Sequence, residues 1–193
     1  GMLGTLDQDA IQAGLSPRLP RVTRCFDERL RRQPYLCGEV VLRFRVARDG
    51  SIKQVGIARS TLGSFEAERC ILSAVRGARF ERPRGGEAEF QYPLSFQGRL
   101  NVYGWESGMV SRELQEHSEQ LLSVKRGRST IVLDAPRGLE LTFYVDRRGK
   151  AVSVGMTAEE AIEEAFALPF IDNLKQLKFV APQGRYAKVT YRW

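Results

Sequence analysis

The chain has 193 residues, with 30 Lys and Arg against 23 Asp and Glu, a formal net charge of +7 and a pI near 9.6. A basic surface favours anionic partners such as nucleic acid, membrane surface or cell-wall polymer, although the basic residues are dispersed and describe a solvated surface as readily. The 42% hydrophobic and 27% charged residues exclude a low-complexity chain; no run of 18 apolar residues suits a membrane span, and the first residues carry no signal-peptide pattern.

Residues 7–32 read as helix, because Ile11, Leu15, Leu19, Val22, Phe26 and Leu30 recur at spacings of three and four. Pro17 and Pro20 split this stretch, and the firmer helix starts near Pro20, since proline is tolerated only in a first turn. Val40, Leu42, Phe44 and Val46 then alternate with Val41, Arg43, Arg45 and Ala47, a strand with one buried face. Asp49-Gly50 supplies a hairpin turn and Ile52 to Ala58 a second strand. Ser64 is placed to cap the next helix, with Glu66 and Glu68 in its first turn and Ala67, Cys70, Ile71, Ala74, Val75 and Ala78 as its apolar stripe. After Gly85-Gly86, a third strand sets Ala88, Phe90, Tyr92, Leu94 and Phe96 on one face. Pro93 marks it as an edge, because it lacks an N–H.

Residues 97–108 read as a connector, 110–125 as a weaker helix through Val110, Leu114, Leu121 and Leu122, and 130–133 as an extra short strand. Residues 139–191 then repeat residues 40–92 at an offset of 99, without a gap. Twelve identities join the copies, among them Leu42 and Leu141, Phe44 and Phe143, Gly50 and Gly149, Phe80 and Phe179, and Tyr92 and Tyr191. Thr157 with Glu160 forms a capping-box pattern ahead of the second copy's later helix, and Pro169 is expected to break that helix in two. The last strand runs from Ala187 to Trp193 without proline. The expected fold is α+β, in two tandem two-layer units over residues 1–98 and 99–193. Each has the order helix-strand-strand-helix-strand, a three-stranded antiparallel sheet in the order 2-1-3, and packs on the other.

Few residues have the company that catalysis needs. His117 is the only histidine, has no partner at ligand or triad spacing, and reads as surface. Glu159, Glu160, Glu163 and Glu164 would sit in the first turns of a helix, where they favour its dipole. No phosphate-binding glycine pattern occurs. The expectation is a protein that is not an enzyme, with no cofactor and no metal. Three cysteines remain, Cys25, Cys37 and Cys70, and their spacing fits no zinc motif. Three pairings are open. A bridge from Cys25 to Cys70 would staple helix to helix, while buried free thiols in a reducing compartment fit equally.

The first copy resembles the C-terminal domain of TonB-type energy transducers. The resemblance lies in residues 38–50, Gly-Glu-Val-Val-Leu-Arg-Phe-Arg-Val-Ala-Arg-Asp-Gly, in Ile52 to Ile57, and on through the helix to Phe80-Glu-Arg-Pro83. It is most similar to the AgmX/PglI-type variant of gliding-motility proteins, through residues 24–30, Arg-Cys-Phe-Asp-Glu-Arg-Leu, with Gln33-Pro34, Ser60-Thr61-Leu62-Gly63, Glu68-Arg69-Cys70, Pro83-Arg-Gly-Gly86 and Tyr92-Pro93-Leu94-Ser95-Phe96. The second copy keeps only the sheet framework. The resemblance implies a non-enzymatic, periplasmic module that binds an envelope protein or peptide, and a Cys25–Cys70 bridge with Cys37 left over. Strand addition at an exposed sheet edge is the implied mechanism. The candidate edges are Glu87–Phe96, through Glu89, Phe90, Gln91 and Tyr92, and Lys188–Trp193, through Lys188, Val189, Thr190, Tyr191 and Trp193. The terminal one is expected to be the more open. The other reading is a small basic nucleic-acid-binding module, favoured by the charge and by Arg43 and Arg45 on the non-core side of a strand; no aromatic residues interleave there for stacking.

Overall fold

The computed structural model describes residues 3–193, so the start of the segment read for a signal peptide lies outside the described residues. Helix α1 (Gln8–Leu15) is capped by Asp7, whose carboxylate accepts the Ala10 amide at 2.8 Å. A 3-10 turn, Ser16–Arg18, absorbs Pro17, and α2 (Leu19–Leu30) takes Pro20 in its first turn, as expected. The first sheet is three-stranded and antiparallel, β1 (Gly38–Val46), β2 (Ile52–Ser60) and β3 (Ala88–Phe96), in the order β2-β1-β3. Helix α3 (Phe65–Val75) follows β2 and is capped by the Ser64 hydroxyl on the Ala67 amide. Helices α2 and α3 cover one face, burying Leu42, Phe44 and Val46 against Val22, Phe26 and Ile71. Cys25 and Cys70 form a disulfide between α2 and α3, with Cα atoms 5.7 Å apart, and Cys37 is free.

The second half departs from the expected plan. Its sheet is four-stranded and mixed, in the order β4 (Tyr103–Trp105), β9 (Ala187–Arg192), β7 (Glu140–Val145) and β8 (Ala151–Thr157), so a second three-stranded antiparallel sheet is not what forms. The added strand β4 (Tyr103–Trp105) comes from the stretch read as a connector, and it pairs in parallel with the last strand. The expected helix over 110–125 is two short pieces, α4 (Ser111–Glu116) and α5 (Ser118–Leu121), broken at His117. Only Leu114 and Leu121 of these pieces are buried, too narrow a stripe to hold one long helix. The extra strand is half of a hairpin, β5 (Ser123–Arg126) with β6 (Ser129–Val132).

Strands β7 (Glu140–Val145), β8 (Ala151–Thr157) and β9 (Ala187–Arg192) follow. Their pairing keeps the sequence offset: Leu141 faces Tyr191 as Leu42 faces Tyr92, and Phe143 faces Val154 as Phe44 faces Val55. The turn glycines explain part of the shared sequence. Gly50 (φ +88) and Gly149 (φ +86) are left-handed, and a Cβ at either would run into the carbonyl of Phe80 or Phe179. The amides of those phenylalanines donate to Gly50 O at 3.0 Å and Gly149 O at 2.8 Å.

Helix α6 (Glu164–Gln176) is continuous, contrary to the break expected at Pro169. It begins late, which makes Pro169 its sixth residue, and one lost amide near the start does not end it. The Thr157–Glu160 capping box does not form, since α6 is preceded by Glu163 without a side-chain cap. Of the four glutamates only Glu164 enters the helix; Glu159, Glu160 and Glu163 precede it. The second core gathers Leu141, Phe143, Val154, Phe170, Leu174 and Val189.

Candidate partner-binding edge

Among the described residues strand β3 pairs with β1 alone, and its outer side has no strand partner beyond Glu87, whose carbonyl accepts the Gly4 amide. Its exposure alternates: Glu89, Gln91, Pro93 and Ser95 are exposed, while Phe90, Tyr92, Leu94 and Phe96 are half-buried and pack on the first core. Phe90 stacks on Phe44 (5.0 Å between centroids) and Phe96 lies against Phe26 (4.9 Å). Between α2 and this edge runs a groove of about 300 Å³, lined by Leu19, Val22, Phe26, Leu94 and Phe96. Unpaired main-chain groups beside a small apolar groove are what an added strand requires: hydrogen bonds along the edge and a place for alternate side chains.

The other candidate edge is differently placed. Tyr103, Gly104 and Trp105 stand opposite Ala187, Lys188 and Val189, so Lys188 and Val189 already have a neighbour on their outer side. The expectation that Lys188–Trp193 would be the more open edge is therefore corrected in part: the connector folds back and covers its first two residues, while Thr190–Trp193 lie beyond β4. Val189 is buried at 1% exposure. Tyr191 and Trp193 lean on the second core, with Trp193 edge-on to Phe170 at 5.5 Å. Thr190 bonds Thr142 through their hydroxyls at 3.0 Å. Lys188 points to the first unit. Its ammonium donates to the Cys37 carbonyl and lies 5.4 Å from the centre of the Tyr144 ring, and burial lowers its pKa.

Those contacts belong to a joint between the two sheets' units. Thr142, Tyr144, Ser153 and Gly155, on the face of β7 and β8 away from Phe143, are all buried. They meet the turn between β2 and α3 and the segment before β1. The Tyr144 hydroxyl accepts the Cys37 amide at 2.9 Å and faces the carbonyls of Cys37 (2.7 Å) and Leu62 (2.9 Å). Ser153 Oγ donates to the Gly63 carbonyl at 2.6 Å. Tyr35 sits between Tyr144 (4.9 Å) and Tyr186 (4.5 Å), and burial pushes its phenol up to about 12. Two residues are exchanged between cores: Tyr144 packs in the first and Phe65 in the second. Arg69 of α3 reaches Glu164 of α6 at 3.1 Å.

No family model, curated protein or solved structure matches the chain.

The remaining candidates are dispersed. Arg43 is exposed, but Arg45 is held by Glu87 (2.9 Å) and Glu89 (3.5 Å), which removes one cation from the basic strand face. His117 lies with Nδ1 2.9 Å from the Glu113 carbonyl. No helix among the described residues is long and apolar enough to cross a membrane. The Cys25–Cys70 bridge is consistent with an oxidising compartment. The joint was not foreseen in detail, though the offset carries its signal. Arg43, Arg45 and Gln54 become Thr142, Tyr144 and Ser153 in the second copy, so a charged solvent face turns small and aromatic where it is covered. Glu68 had no such signal; it reads as an ordinary first-turn acid.

Proposed function

We propose that the chain is a non-enzymatic protein–protein interaction module of the cell envelope, similar to the TonB C-terminal domain and nearest to its gliding-motility variant. It takes an extended segment of an envelope partner as an added strand on the outer side of β3. The observation that carries this reading is that, among the described residues, β3 has a strand on one side only, with an apolar groove on the flank beside α2. The segment's main chain pairs along Glu89–Ser95, and alternate side chains enter the groove at Leu19, Phe26, Leu94 and Phe96. The disulfide supports a periplasmic location, where such bridges form and persist. Under this reading the two units divide the work: the first binds, and the second, its edge partly occupied by β4, braces the first through the joint.

Photo-cross-linking in the native envelope tests the reading. A photoreactive side chain at Gln91 or Ser95 is expected to give a protein adduct that one at Lys125, on the β5–β6 hairpin, does not. Leu19→Glu, which places a charge in the groove, is expected to abolish it. No adduct from β3, equal adducts from the hairpin, or an adduct with nucleic acid contradicts it.

A further inference from the structure

Glu68 lies inside the joint with nothing to answer its charge. It belongs to α3, is 2% exposed, and among the described residues neither carboxylate oxygen has a hydrogen-bond partner. The wall over it is the backbone of β8. A Cβ at Gly155 would collide with Glu68 Oε1 and would come within 2.9 Å of the Ser64 amide and 3.0 Å of Gly63 Cα. The glycine is thus what lets the carboxyl group close against the second unit.

Helix α2 and strands β2 and β8 pack most closely on α3, with β1 beneath Ile71 and α6 reached through Arg69. Strand β8 carries no charged residue. From β2 come Ser60, whose hydroxyl lies near the carboxyl group, and the exposed Arg59. From α2 comes Arg29, whose Nη1 donates to the Cys25 carbonyl at 3.0 Å and which faces Glu28 at 3.9 Å and Glu66 at 4.0 Å, while its buried Nε has no hydrogen-bond partner among the described residues. Beyond these, Arg69 is paired with Glu164, and Lys188 is turned to Cys37. Glu68 lines a cleft of about 1210 Å³ together with Arg29, Arg43, Arg45, Arg69 and Arg76, and with Glu159 and Glu160 across it; none of these guanidinium groups bonds its carboxyl group, and the cleft gives water and protons a path to the joint's margin.

We propose that Glu68 is a pH-operated latch on the joint: neutral, it lets β8 seat against α3, and ionised, it opens the two units from each other. The closed joint removes the carboxylate's water and supplies no cation or completed hydrogen bond in exchange, so only the protonated form fits it. Burial pushes its pKa up to about 8, against the weaker pull of the Ser60 hydroxyl and the Met156 amide. In the open joint the group returns to its ordinary value near 4.5. Opening therefore releases a proton between those two values. Closure is fully favoured below the lower one, weakens by up to about tenfold per pH unit as pH rises between them, and levels off above the upper one. This latch operates whether or not β3 takes a partner.

Hydrogen exchange of the intact chain between pH 5.5 and 8.5, corrected for the intrinsic pH dependence of amide exchange, reads it. Protection of residues 60–68 and 151–157 is expected to fall by up to about tenfold per pH unit in the wild type and to stay level in Glu68→Gln. The core amides of Leu42 and Phe143 should hold in both. Level protection in the wild type, a parallel fall in Glu68→Gln, or an even loss across the whole chain overturns the latch. Should Glu68→Gln not fold, the side-chain carboxyl of Glu68 is titrated directly by carbon-13 NMR. A midpoint near 8 supports the latch, and one near that of an ordinary glutamate overturns it.

Discussion

Tyr144 stands where the first copy has Arg45, on the strand face that the first unit leaves to solvent. Here that face is covered, and the phenol is fully buried with the backbone of Cys37 and Leu62 around its hydroxyl. Removing the hydroxyl leaves the Cys37 amide and the Leu62 carbonyl without that partner, while the Cys37 carbonyl keeps Lys188. Tyr144→Phe is expected to lower unfolding free energy by about 1–3 kcal/mol in urea titrations. Tyr92→Phe, which loses only an exposed bond to Gln12 at 3.0 Å, should change it by less than about 0.5 kcal/mol. The hairpin glycines give a second residue-scale expectation. Gly149→Ala forces a left-handed residue against the Phe179 carbonyl, and should cost more than about 1 kcal/mol in the same titration. These glycines were legible in the sequence because both copies keep them. Tyr144 was legible only by comparing the copies position by position, and Glu68 not at all, because its burial depends on which surface closes over it.

At the scale of elements, local chemistry decided what was readable. Asp7, Ser64, Pro17 and Pro20 act through the chain next to them, so the starts of α1, α2 and α3 follow from sequence. The elements that differ depend on distant partners. Strand β4 is three residues long and forms only because β9 offers it an edge. Helix α6 survives Pro169 because Phe170 and Leu174 are buried in the second core beyond it. The disulfide ties α2 to α3 across a separation of 45 residues, for which the chain-entropy estimate is at most about 4 kcal/mol. A thermal melt of the wild type should shift down on adding dithiothreitol, and a Cys25→Ser, Cys70→Ser double variant should melt at the lower temperature with or without it. An unchanged wild-type melt would remove the bridge from the account of stability.

For the whole molecule, the offset of 99 residues runs through the shared ladder registers, and the two halves differ in what is built on them. The first unit keeps a helix-flanked strand edge without a neighbouring strand among the described residues. The second spends one sheet face on the joint and one edge on β4. The sequence offset predicted two sheets, but not that the connector would add a strand to one of them, because three residues of alternating Tyr, Gly and Trp carry no strand signal by themselves. The basic charge does not form a single working face, since Arg45 and Arg69 are drawn into ion pairs with neighbouring glutamates. Residue-resolved amide exchange of the free chain by NMR tests this division most directly. The outward amides of β3 should exchange at rates close to those of an exposed loop, while Lys188 and Val189 stay protected with the rest of the second sheet. A protected β3 with fast exchange at Lys188 and Val189 would contradict the account, moving the open edge to the end of the chain.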